Sequence, residues 1–196
     1  MSIDVLIALS VFALVSSITP GPNNLMLLAS GANFGFTRSL PHMMGVAIGF
    51  TLMVFLVGVG LIGLFDLIPY SYEALKIFSA IYLCWLAWKI ANSAAPGSEK
   101  SGGRPITFLQ AALFQWVNPK AWSMALTAIA LYAPDRSLTA VFMVTIVFGM
   151  VNFPSISFWT LLGLKMRALL SNAARLKAFN YTMAIALVAT LYPVLF

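Results

Sequence analysis

Apolar residues run in long blocks along this chain, and charge is confined to the joints between them. Arg38 is the first charged residue after Asp4, and residues 39–65, 137–164 and 178–196 carry no charge. Roughly 20 apolar residues are needed to cross a hydrocarbon core about 30 Å thick, so blocks of this length predict membrane helices. Six segments follow from the pattern, over residues 4–33, 40–64, 72–93, 106–133, 138–163 and 177–195. Between the third and fourth lies the one stretch rich in Gly, Ser, Pro and charge, Ser93 to Pro105. Such a composition reads as a loop, and it divides the chain into two halves of three segments each.

Composition removes the soluble alternatives. Of the 196 residues 61% are hydrophobic and 8% charged, with mean hydropathy +0.96, against about 45–50% apolar and about 25% charged in soluble domains. Eleven Lys and Arg against five Asp and Glu make the chain basic. A nucleic-acid partner would need those charges gathered on one exposed face. Here they sit between apolar runs and report orientation instead. Cytoplasmic loops carry the Lys/Arg excess. One set of connections holds Arg38, Lys89, Lys100, Arg104, Lys165, Arg167, Arg175 and Lys177, while the other holds Arg136 and, at most, Lys76. Both termini are therefore expected on the outer side, in a multi-pass protein of a bacterial inner membrane. Cys84 is the single cysteine; it offers no intrachain disulfide and reads as a small buried hydrophobe. Trp85 and Trp88 beside Lys89 read as an interfacial belt with a snorkelling lysine. Without a basic start or a small-residue cleavage site, the N-terminus reads as retained.

Two segments cannot be continuous helices. The first contains Thr19-Pro20-Gly21-Pro22-Asn23-Asn24, where each proline removes a backbone donor and crowds the preceding turn. The fourth contains Asn118-Pro119-Lys120, an N-cap followed by a residue suited to the first helical position. At about 1.5 Å per residue, residues 4–18 descend roughly 22 Å and residues 106–117 climb roughly 18 Å, which places both breaks at membrane depth. Irregular backbone is tolerated there only where protein buries it or it lines a water-filled cavity.

Because each half has three spans, the second half enters the membrane upside down relative to the first. The predicted fold is an all-α integral membrane protein of six transmembrane segments, a 3+3 inverted repeat with broken first and fourth helices. Residues 1–94 form the first repeat, 95–105 a cytoplasmic linker and 106–196 the second; whether 20–33 fully spans or is re-entrant stays open. Folds of this kind hold substrate where the broken helices meet, with half-helix N-termini aimed at anionic groups. The candidate substrate-binding residues are Pro20, Gly21, Pro22, Asn23, Asn24, Asn118, Pro119 and Lys120, joined by Asn152 near the middle of the fifth segment. Lys120 is the charge placed deepest, and with His42 it is a candidate coupling group. Gly45 and Gly49, with Gly58, Gly60 and Gly63, read as close helix packing. No cofactor and no metal site is expected.

The Thr19–Asn24 stretch, the Gly-rich second segment, the run Tyr82-Leu83-Cys84-Trp85-Leu86-Ala87-Trp88-Lys89 and Asn118-Pro119-Lys120 together resemble the lysine-exporter (LysE/RhtB) family over essentially the whole chain. The resemblance implies an exporter of amino acids or their derivatives driven by the proton or ion gradient. The cysteine/O-acetylserine exporters are the similar members, so small neutral amino acids, including homoserine- or threonine-like ones, are the implied cargo. The family's first motif falls on Pro20 to Asn24 and its second on Asn118 to Lys120. Many members carry an acid where this chain has Asn23, so coupling here would have to use Lys120, His42, Asp66, Glu73 or the substrate's own ionisation. The expected partners are a small amino-acid substrate and the lipid bilayer, with a homo-oligomer left open and no nucleic acid. The alternatives are a passive channel and, behind it, a membrane-embedded enzyme, for which one His and one Cys leave few nucleophile and base pairs.

Overall fold

A computed structural model of the chain describes residues 1–61, 70–93, 104–170 and 172–192. Among them are eight α-helices: α1 (Ile3–Ile18), α2 (Pro22–Phe34), α3 (Phe36–Gly58), α4 (Ser71–Ala91), α5 (Phe108–Phe114), α6 (Pro119–Tyr132), α7 (Leu138–Met166) and α8 (Ala173–Ala189). A 3-10 turn, Gln115–Val117, joins α5 to the break before α6. Each helix overlaps one of the six segments read from the sequence, with ends that pass the read bounds by up to four residues. Most of the proposed linker, Gly63, Asp66 and the end of the last segment lie outside the described residues.

Three helices are long and apolar enough to cross a membrane, Phe36–Gly58, Glu73–Ala91 and Leu138–Met166. The α1–α2 pair, bent by 55° at its break, makes a fourth if counted as one span. The α5 helix has 7 residues, α6 has 14 and α8 has 17, each shorter than a span. Helix length alone therefore supports three or four crossings rather than six.

The distribution of residues is inverted relative to a soluble bundle. Ile3, Ile7, Val11, Ile77, Ile81 and Met150 are among the large apolar side chains left on the outside. Asn24, Asn33, His42, Gln115, Asn118, Asn152 and Asn180 are buried. Lipid covers an apolar exterior as readily as protein does, whereas polar groups must find partners inside. The same reasoning corrects the reading of Cys84, which is exposed on α4. An apolar run marks a span but not which face of it is inward.

The interior is two stacked apolar clusters, and each broken helix passes from one to the other. One cluster takes Met26 to Ala32 from α2, Met43 to Ala47 from α3, Leu83 and Leu86 from α4, Phe114 from α5, Ile156 from α7 and Leu187 from α8. The other takes Leu9 and Ala13 from α1, Phe50 to Val57 from α3, Ala121 to Ile129 from α6 and Val141 to Phe148 from α7. Thus α1 leads into α2 in one direction, and α5 leads into α6 in the other. The long helices α3 and α7 also run oppositely between the clusters. The long helix α7 packs on α1 and α2, α3 packs on α5 and α6, and α4 packs on α8.

Close approach of α3 and α5 needs the glycines at their crossing. A methyl group on Gly45 would run into the Phe108 carbonyl, and one on Gly49 into the Ala112 backbone, so the packing role expected of this pair holds. Gly60 differs: its surroundings are open and its φ is +110°, so it serves a turn instead.

Candidate functional site

Breaking a helix strands the last carbonyls of one piece and the first N–H groups of the next. At the first break the carbonyls are fully accounted for. Thr19 Oγ1 donates to Ser16 O at 3.0 Å. Asn24 Nδ2 donates to Ser17 O at 2.8 Å and Thr19 O at 2.7 Å. The Trp159 indole N–H, from α7, donates to Ile18 O at 3.0 Å. Lys120 Nζ, from the first turn of α6, donates to Thr19 O at 2.7 Å, Thr19 Oγ1 at 2.9 Å and Pro20 O at 3.3 Å. The negative end of α1 thus meets a cation delivered by the other broken helix, the favourable sense for a helix C-terminus.

Gly21 is what lets that lysine through. Its φ is −172°, ordinary extended backbone, so the requirement is space: an added Cβ would stand 2.6 Å from Lys120 Cδ. Gly21 then caps α2, with Pro22 at its first position and no side chain bonded to the first-turn N–H groups. The second break closes itself more locally. Asn118 accepts from the Lys120 N–H at 3.2 Å, with Pro119 in the first helical position. A second tie joins the breaks: Asn23 Nδ2 donates to Gln115 Oε1 at 2.8 Å, and Gln115 Nε2 returns to Asn23 Oδ1 at 3.2 Å.

Between the breaks lies a cavity of about 30 Å³, lined by Gly21, Pro22, Asn23, Asn24, Asn118, Lys120 and Asn152 from the sequence reading and by Ser16, Ser17, Phe50, Ala121 and Met124 besides. A cavity of that size has room for water. Pro20 and Pro119 do not line it and act through the backbone instead. Asn23 and Asn24, expected to offer their amides to a ligand, spend donors on Gln115 and on the α1 carbonyls. Two buried polar atoms at the cavity have no hydrogen-bond partner among the described residues, Ser17 Oγ and Asn152 Nδ2. With the open α2 first turn, the uncommitted groups are mostly donors; the Lys120 ammonium brings positive charge although its N–H bonds are spent on Thr19 and Pro20, and no carboxylate lines the space. Such a set suits an anionic group.

His42 stands apart from this cavity. It is buried in α3, and neither ring nitrogen has a hydrogen-bond partner among the described residues. Lys89 does not snorkel outward. Its Nζ turns to Gln110 Oε1 at 3.1 Å and Pro105 O at 3.4 Å, with the Trp85 ring centroid 5.6 Å away. Gln115 and Ser17 were missed from sequence; a glutamine three residues before Asn118 in an apolar run was the available signal for the first, and nothing distinguished the second.

Comparison with known proteins agrees with the geometry. The model of the family described as LysE type translocator matches residues 14–191. The chain is similar to the cysteine/O-acetylserine efflux protein of Escherichia coli K12, 30% identical over 166 residues, which are 83% of this chain and 84% of the relative. The protein of that name in Shigella sonnei gives the same figures. The one in Salmonella typhi is 30% identical over 154 residues, 78% of each chain. No solved structure matches the chain.

Proposed function

The chain belongs to the LysE-type translocator family, a family of transporters rather than enzymes, and from that premise we propose that it exports a small neutral amino acid or derivative across the bacterial inner membrane, with proton antiport as the coupling. The relatives' names point to cysteine and O-acetylserine as the first cargoes to try; homoserine and threonine are next. The observation that carries the reading is the donor-rich cavity between two helix breaks. A substrate carboxylate would take the open first turn of α2 and Asn152 Nδ2, and Lys120 on exchanging a bond to Thr19 or Pro20 for it, while Ser17 Oγ would meet the remaining polar end.

The six-segment inverted repeat draws support from the packing. Equivalent pieces of the two halves run in opposite directions between the two apolar clusters, and each long helix packs on the other half's broken helix. Basic joints gather at one end: Arg167 approaches Gly35 beside the α2–α3 turn, and Lys89 reaches Pro105 before α5. This end would face the cytoplasm, leaving both termini outside.

A cavity as confined as this, about 30 Å³, also favours a gated carrier over an open channel. Because α2 and α6 each begin at a break tied to the other, widening the cavity needs the ties between the breaks to loosen. Inside-out vesicles supply the test. Radiolabelled cysteine, O-acetylserine, homoserine and threonine are offered at the cytoplasmic face, and an acid lumen should drive at least one of them to accumulate above its outside concentration. Flux that only dissipates the cargo's own gradient, whatever the imposed pH difference, would replace the carrier with a channel.

A further inference from the structure

A second cavity lies toward the other end of α2, at the basic end of the molecule. Met26, Ser30 and Asn33 line it from α2, Lys89 and Ser93 from α4 and the residue pair beyond it, and Arg104 from the approach to α5. Two cations share this small space, about 20 Å³ as it stands, and no carboxylate is among its lining residues. Two of the three Lys89 N–H bonds go to Gln110 and Pro105, which leaves one to offer. The wall beneath is stiff. Asn33 and Asn180 exchange amide bonds at 2.7 and 3.0 Å, Asn33 Nδ2 also holds Ala29 O at 2.8 Å, and Asn180 Nδ2 holds Ser93 O at 3.1 Å.

We propose that this cavity is a cytoplasmic antechamber that receives the carboxylate of the exported amino acid before it reaches the cavity between the breaks. The inference rests on the export reading above and adds a site to it. Positions 23, 26, 30 and 33 follow the three-to-four spacing of one face of α2, so Asn23 at the central cavity and Asn33 here stand about 15 Å apart along a single helix. Met26 is buried between them, and its unbranched, rotatable side chain can yield without breaking a hydrogen bond. At short range, fixed cations in a low-dielectric mouth attract the carboxylate end of a zwitterion even though the amino acid as a whole is neutral. Fixed charge at the antechamber and uncharged donors with one lysine deeper in would draw a carboxylate inward without trapping it.

Arg104 is exposed, so replacing it leaves the packed interior intact. Initial export rates are measured in inside-out vesicles across substrate concentration, at low and high salt, for wild type, Arg104→Gln, Arg104→Glu and Arg104→Lys, each normalised to protein in the membrane. Arg104→Gln should raise KM about fivefold with kcat kept, the scale of one partly screened charge pair. Arg104→Glu should raise KM further, Arg104→Lys should restore it, and the salt dependence of KM should flatten in Arg104→Gln. Unchanged KM in both the Gln and Glu variants, or a fall in kcat at fixed KM, would overturn the antechamber. So would a KM effect confined to right-side-out vesicles. Wild-type vesicles that carry no amino acid at all would remove the export reading itself, and this site with it.

Discussion

The two helix breaks solve the same problem by different means. Asn118-Pro119 closes itself with a local cap, an Asn side chain bonded two residues ahead and a proline where no donor is needed. Thr19-Pro20-Gly21 closes nothing locally at the start of α2, and of its stranded carbonyls Ser16 O is met by Thr19 itself while Ser17 O to Pro20 O are satisfied from α2, α6 and α7. The self-capped break can travel as a rigid unit. The other depends on its neighbours, so its donors and acceptors can be exchanged for those of a ligand. Lys120 belongs to both, starting in one helix and ending on the carbonyls of the other.

The largest effect is expected at that shared residue. Lys120→Met should lower export at least about tenfold, a difference of about 1.4 kcal/mol, while membrane levels persist. Near wild-type flux through Lys120→Met would deny the lysine any role in transport. Arg keeps the charge permanently, so Lys120→Arg sharpens the result: partial export marks a static cation, and loss equal to that of Met marks a residue that must release its proton during the cycle.

Gly21→Ala comes next. The backbone at Gly21 accepts any residue, so the added methyl acts through the lysine stem alone. Export should drop severalfold, by roughly 1 kcal/mol of transport barrier, with the unfolding midpoint in detergent nearly unchanged. In combination with Lys120→Met it should add nothing; an additive loss would mean that Gly21 acts on something other than Lys120.

The Asn23–Gln115 pair tests whether the breaks are tied. Asn23→Ala or Gln115→Ala alone leaves a buried amide short of a partner and should cost about 1–3 kcal/mol of stability. The double variant should lose less than the sum, with a coupling of at least about 0.5 kcal/mol in denaturant titrations of the purified protein. Strict additivity would show that the two amides act separately.

The smallest effect belongs to the self-contained break. Asn118→Ala removes a cap worth about 1 kcal/mol, and Pro119 still starts the helix. A shift of a few degrees in thermal midpoint with export largely retained would fit a rigid unit. Loss of export as complete as that of Lys120→Met would erase the distinction between the breaks.

Helix positions and both breaks were legible in the sequence because their causes are local. Charge-free length makes a span, and Pro with Gly or Asn stops and starts a helix whatever surrounds it. The partners at the breaks were not legible to the same degree. Gln115 stands 92 positions from Asn23, and Trp159 141 positions from Ile18; no periodicity links such residues. Lys89 shows the same limit, since its snorkelling geometry and its inward turn toward Gln110 begin from the same local run.

By itself the sequence determined a helical membrane chain and the two places where helix must fail. Tertiary structure decided which stranded groups are answered by protein and which stay open. It showed that Asn23 and Asn24 are committed, that Lys120 is held by Thr19, and that Ser17 and Asn152 are left with free bonding capacity beside the cavity. The physical reason is that a break is set by backbone sterics within a few residues, whereas satisfaction of buried polar groups depends on which side chains packing brings within about 3 Å.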